Sequence, residues 1–278
     1  MRDRAVESVV GFVLVFSLIA SSVGVVYVFG FEGLQDTRDA EQLSNVESAF
    51  DVLEDNVEDV QREGAPHRAT EFKLYQANLQ TGEPVEFSIN VTNWNAVGPA
   101  GDGDPSTAEP LESSINAVPI VYSPEGSPTT IRYVNGAVLR EGRGGSLMLD
   151  GPPLVLREQG SERTAVFPLV ETRERGTTAI SGSTTVLVRA DAVLDESLVA
   201  ATDPAGDTVD GDGTYSVTLN ISTDPSMAPV WADYLNEEFD AAYGIEPCTV
   251  SGGTVTCDNV EVERLFVSAT RIDVSIEG

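Results

Sequence analysis

The sequence predicts an α+β protein: a long N-terminal helix, first transmembrane and then amphipathic, followed by a mostly antiparallel β-sandwich-like domain with one short helix. Three observations carry that expectation. Val9 to Phe31 is a 23-residue run with no charged side chain. Leu43 to Val60 repeats its apolar residues at helical spacing, and the chain after His67 breaks into short β-branched and aromatic runs between Gly, Pro, Asn and Asp.

At about 1.5 Å per residue, the 23-residue run is long enough to cross a hydrocarbon core of about 30 Å. Two readings compete: a cleaved secretory signal, with Ala20 and Ser22 before the cut, and a fully buried helix of a soluble core, which an N-terminal run of this length seldom is. The run continues through Val23, Val25, Val26, Tyr27, Val28, Phe29 and Phe31, past the length of a short signal core. Arg2 and Arg4 precede the span, whereas Glu32, Asp36, Asp39 and Glu41 follow it. The positive-inside rule then puts the N-terminus in the cytoplasm and everything after the span outside. The expected organisation is a cytoplasmic leader over residues 1–8, a transmembrane helix over 9–31, an amphipathic extension over 32–64 and an extracellular β-rich domain over 65–278.

In the extension, Leu43, Val46, Phe50, Leu53, Val57 and Val60 are spaced three, four, three, four and three residues apart, a narrow apolar stripe on one helix face. Gly64, two residues before Pro66, marks its end. Gly30 and Gly33 are places where the helix is free to break. Such a stripe either packs on the chain's own globular domain or forms a seam with neighbouring subunits.

The body's expected strands are Thr70–Gln80, Val85–Trp94, Ile115–Tyr122, Thr130–Val134, Ala137–Arg140, Arg163–Val170, Thr184–Ala190, Tyr215–Ser222 and Val260–Ile276. Asn135-Gly136 lies between two alternating runs and specifies a two-residue type I′ hairpin. Gly98–Pro110 and Asp203–Gly213 read as exposed loops. Pro225–Ala242 carries Val230, Tyr234, Leu235 and Phe239 at helical spacing, with Asp224 as its expected N-cap.

The midpoint between Cys248 and Cys257 is Gly252-Gly253. A two-residue turn there pairs Ser251 with Thr254 and, three steps further, Cys248 with Cys257, so the sulfurs face each other and a disulfide is expected outside the cell. A metal site would need more His or Cys ligands, and the one histidine, His67, stands beside Pro66 in an expected loop.

With one histidine and two cysteines expected to be bridged, no Ser/His/Asp or Cys/His constellation can be assembled without His67, for which a solvated role is expected, and no phosphate-cradling glycine loop is present. No enzyme activity and no cofactor are expected. Asp207, Asp210 and Asp212 offer oxygens to a hard cation such as calcium, but without EF-hand spacing, and a solvated loop is the expected state. Asn90-Val91-Thr92 and Asn220-Ile221-Ser222 are N-glycosylation sequons inside expected strands, so each acceptor must face solvent to be used.

The composition sets 45 acidic against 16 basic residues, a net charge of −29, with Lys73 the one lysine. Self-repulsion of that size favours a brine in which the Debye length shrinks to a few Å. The sign of the charge disfavours nucleic acid as a partner.

Arg4-Ala5-Val6-Glu7-Ser8-Val9-Val10-Gly11, entering the apolar run, resembles the start of haloarchaeal type IV pilin-like proteins, whose usual pattern is Arg-Ala-Val-Ser-Pro-Val-Ile-Gly. The likeness covers about the first 60 residues, with Glu7 and Ser8 as its departures. The resemblance implies processing close to Arg4 or Ala5 on the cytoplasmic side, retention of the apolar helix, and packing of that helix with other pilin-like subunits. The function expected is a membrane-anchored subunit or minor component of a surface filament. The alternative is a stand-alone anchored module binding envelope glycan, a surface protein or a divalent cation.

Overall fold

The computed structural model describes residues 3–92, 111–193, 198–201 and 215–278. Helix α1 runs unbroken over Asp3–Arg62, through Gly30 and Gly33. The chain divides within it into two compact units, Met1–Glu47 and Ser48–Gly278. The helix ends where the sequence places a glycine stop: Gly64 takes φ +69°, and the amides of Glu63 and Ala65 both return to the carbonyl of Asp59.

The second unit is an α+β body built on three sheets. The first sheet contains β1 (His67–Lys73), β9 (Val155–Gln159), β10 (Glu162–Glu174), β12 (Thr185–Ala192), β13 (Leu198–Ala201) and β17 (Arg264–Glu277). Its order is β1-β12-β17-β10-β9, with β13 also on β17. The second has β2 (Ala77–Thr81), β5 (Ile120–Pro124), β6 (Thr130–Val134), β7 (Ala137–Gly142), β8 (Gly145–Asp150) and β11 (Ala179–Gly182), in the order β11-β2-β5-β6-β7-β8. The third has β3 (Val85–Thr92), β4 (Leu111–Ala117), β14 (Tyr215–Ser222), β15 (Cys248–Ser251) and β16 (Thr254–Val262), in the order β15-β16-β14-β3-β4.

Pairing is antiparallel except between β10 and β17, which run parallel from Thr164↔Arg264 to Glu174↔Val274. Alternation builds each sheet. Along β14, Tyr215, Val217, Leu219 and Ile221 are buried and the residues between them are not. Helix α2 (Ala228–Tyr243) covers the buried face of the third sheet. Its Trp231, Leu235, Phe239 and Tyr243 repeat every four residues and all are buried, with Val230 and Tyr234 half-buried beside them. Trp231 meets Phe87 of β3 edge to face, with ring centroids 5.3 Å apart.

Both expected hairpins form in the expected register. Asn135 and Gly136 take φ +49° and +75°, the type I′ requirement, and Val134 pairs with Ala137. The Asn135 side chain also accepts the amide of Val170 at 2.7 Å, tying this turn of the second sheet to β10 of the first.

Several expectations are corrected. Thr70–Gln80 is two strands in different sheets, broken at Leu74–Gln76, where Gln76 takes φ +48°. Ile115–Tyr122 likewise divides between β4 and β5, and Val260–Ile276 divides at Glu263. His67 is the first residue of β1, opposite Asp191, rather than a loop residue. Asp224 is not the N-cap of α2: Met227 holds that position without a side-chain bond, and the Asp224 carboxylate accepts from Arg132 at 2.9 Å instead. Its backbone carbonyl takes the amides of Met227 and Ala228. Gly98–Pro110, Asp203–Gly213 and Trp94 lie outside the described residues.

Candidate functional site

Four features of the molecule have the makings of a site: the apolar half of α1, its striped half, the cysteine hairpin and the open face of the third sheet. In the first, Val10–Tyr27 carries no charged side chain and none of it is buried. Phe12 is 70% exposed and Leu18 73%, whereas the body's large apolar side chains are mostly enclosed. The helix meets its own backbone needs, and the Ser22 hydroxyl donates to the carbonyl of Ile19 at 2.9 Å, so its polar group is satisfied without water. Among the described residues, this one helix is long and apolar enough to cross a membrane. Arg4 and Ala5 lie in its first turns.

The stripe follows a different course. Phe50, Leu53, Val57 and Val60 are all at most 3% exposed. Phe50 packs edge to face on Phe72 of β1 at 5.1 Å. Around that contact Asn56 donates to Thr70 at 2.9 Å, and Arg68 pairs with Asp59 at 3.0 Å. Val46 is buried too, and Leu43 is half-exposed. Of the two courses open to the stripe, Phe50, Leu53, Val57 and Val60 take the first, packing on the chain's own body.

On a neighbouring face of the same helical stretch, the carboxylates of Glu54, Asp55 and Glu58 lie within 4.8 Å of one another. Burial pushes Glu54 up to about 7, helped by the negative charges of Asp150, Glu58 and Asp55 and opposed by Arg62. Arg62 is ion-paired with Glu58. No histidine or cysteine joins the group among the described residues. The loop acids Asp207, Asp210 and Asp212 lie outside the described residues.

Cys248 and Cys257 are bonded, with an S–S distance of 2.03 Å, and stand directly opposite in the β15–β16 register. The hairpin is fixed from a second side: Asn236 of α2 accepts the Cys248 amide at 2.8 Å and donates to the Cys248 carbonyl at 3.0 Å. Those two bonds satisfy an edge strand's backbone groups. Nothing in the sequence pattern singles out Asn236.

The third sheet's other face is not covered by α2. Asn90 and Asn220 both point to that side, in β3 and β14, since each alternates with buried neighbours. Asn220 stands opposite Thr256 and accepts its hydroxyl at 3.0 Å. His67 is exposed at the start of β1, remote in sequence from either cysteine or sequon.

The chain belongs to a family of unknown function, DUF7289, whose pattern it matches over residues 4–275. No curated protein and no solved structure matches it significantly.

Proposed function

We propose that this member of the DUF7289 family is a membrane-anchored surface protein of pilin-like build, from a salt-loving archaeon. Its N-terminal helix spans the membrane and its β-rich body stands outside. The observation that carries the reading is the exposed Val10–Tyr27 segment in a chain that, among the described residues, buries most of its other large apolar side chains. Exposed apolar surface of that extent marks a lipid or protein contact. Arg2 and Arg4 before the span and the acids after it support an outward-facing body. The net charge of −29 supports a high-salt medium.

On this reading the helix is both tether and assembly element, contributing to a surface filament as a subunit or minor component. A specific observation favours the alternative of a stand-alone anchored module: the body takes up Phe50, Leu53, Val57 and Val60, so lateral contacts to other subunits are left to the residues upstream.

N-terminal sequencing of the protein extracted from native membranes separates the two. A start next to Arg4 or Ala5, with recovery in sheared filaments, is the filament outcome. An intact Met1-Arg2 start with no filament recovery removes the filament role and leaves the anchor. Release of the whole chain by high-pH washing, without detergent, would overturn the anchor itself.

A further inference from the structure

The two faces of the third sheet differ in chemistry as well as in exposure. Toward α2 the sheet is apolar. Away from it, one register row crosses all five strands as Thr249, Thr256, Asn220, Ser88 and Ser114, every one an uncharged hydroxyl or amide. The next row repeats the pattern with Glu86 as its one charge. The row on the other side sets Asn90 in register between Thr218 and Glu112, so the neutral row is one row of this face and not the whole of it.

An independent observation falls on the same face. The chain's two Asn-x-Ser/Thr sequons, at Asn90 and Asn220, lie on adjacent strands with both acceptors outward. Asn90 stands opposite Thr218 and Asn220 opposite Ser88, which makes the two asparagines diagonal neighbours, about 7–8 Å apart at their side chains. The residue between acceptor and hydroxyl, Ile221 or Val91, is buried on the apolar face.

We propose that the outward face of the third sheet is a carbohydrate-bearing face, N-glycosylated at Asn220 and Asn90. The inference rests on the reading that the body lies outside the cell. The donor is an oligosaccharide carried on a lipid phosphate. The side-chain amide nitrogen forms a bond to the anomeric carbon, the bond from that carbon to the phosphate oxygen breaks with its electron pair leaving on the phosphate, and the amide nitrogen gives up one proton. Uncharged hydroxyls and amides suit a neighbouring sugar, because they offer donors and acceptors without the like-charge field of the remaining surface.

The fold also dictates the order of events. Asn220 sits in the middle strand of five, paired with β16 on one side and β3 on the other, and its side-chain oxygen is engaged by Thr256. A transferase must grip three consecutive residues around the acceptor, and Ile221 is only 1% exposed once the sheet has formed. Attachment therefore precedes closure of the sheet, and the sheet then holds the sugar outward.

The test is intact-mass and peptide mass spectrometry on the full chain from native membranes, beside Asn220→Gln, Asn90→Gln and Ser222→Ala, with protease shaving of whole cells as a second readout. The expected result is a mass above that of the polypeptide. One increment is lost in each variant, including Ser222→Ala, which leaves Asn220 and its bond to Thr256 in place. Sugar on one asparagine alone upholds the proposal there and overturns it at the other. Unmodified peptides at both sites, in a body that shaving reaches from outside, overturn the glycan while sparing the anchor. A body that shaving does not reach overturns the outside location and the glycan together. Transfer to purified, unglycosylated, folded protein overturns the order of events.

Discussion

Helix α1 contains two apolar stretches that differ in how water is excluded from them. Val10–Tyr27 is apolar on every face and fully exposed, while Phe50–Val60 is apolar along one stripe and that stripe is enclosed. A stripe about one residue wide per turn can be covered from one side, and Phe72 of β1 contributes to that cover by meeting Phe50 edge to face. A cylinder that is apolar all round needs a solvent that is apolar all round. The polar residues of the second stretch make the same point: Asn56 and Asp59 find partners on β1, and Ser22 in the first turns back to its own helix.

The largest test of that contrast places one arginine in each stretch. Leu53→Arg puts an unpaired charge into a fully enclosed site and is expected to cost more than about 4 kcal/mol, seen as loss of the cooperative melting transition by circular dichroism in high salt. Leu18→Arg is expected to leave the body's melting unchanged while weakening membrane insertion by about 3 kcal/mol in a vesicle flotation assay. A melting loss in Leu18→Arg equal to that in Leu53→Arg would break the comparison.

Truncation sharpens it at smaller amplitude. Phe50→Ala removes one ring of the Phe50–Phe72 contact and should cost about 3–5 kcal/mol by denaturant titration, whereas Phe12→Ala should not alter the body's midpoint.

A third prediction concerns charge on the enclosed stretch. Between pH 4.5 and about 7 the folded chain holds a proton on Glu54 that the unfolded chain has released, so this group's contribution to stability falls as pH rises through that window. Because the side chain is only half-buried and screened, the expected size is on the order of 1 kcal/mol. Glu54→Gln should flatten the slope of melting temperature against pH, most visibly at low salt. The smallest effect belongs to Asp59→Asn, which breaks a solvent-exposed pair with Arg68 and should change stability by less than about 1 kcal/mol.

Local patterns are readable in the sequence wherever one element decides its own structure. The stripe spacing, the stop at Gly64, and the Asn135-Gly136 and Gly252-Gly253 turns all act within a few residues, and the second turn carries the Cys248–Cys257 bond with it. Alternation misleads where the chain bends without losing its rhythm. The breaks at Leu74–Gln76 and between Ala117 and Ile120 each send one apolar run into two sheets. β8, β9 and β11 escape pattern reading because glycine, arginine and glutamate dilute their alternation. The cap expected of Asp224 fails because Arg132, distant in sequence, competes for the carboxylate. Glu54 becomes unusual through burial against the folded body, helped by the distant Asp150, and the neutral row of the third sheet exists only after five strands are set in register.

The parallel pairing of β10 with β17 sets a timetable for the whole body. β17 ends at Glu277, one residue short of the last, and it lies between β10 and β12 in the first sheet. Until β17 docks, that sheet is split into two halves, each with an open edge. One of the body's two six-stranded sheets therefore closes through a non-local pairing, and pairing of this kind is slow to form. β17 thus acts as the keystone of its sheet: deleting Arg264–Glu277 should leave β10 and β12 unjoined and abolish the body's cooperative melting transition.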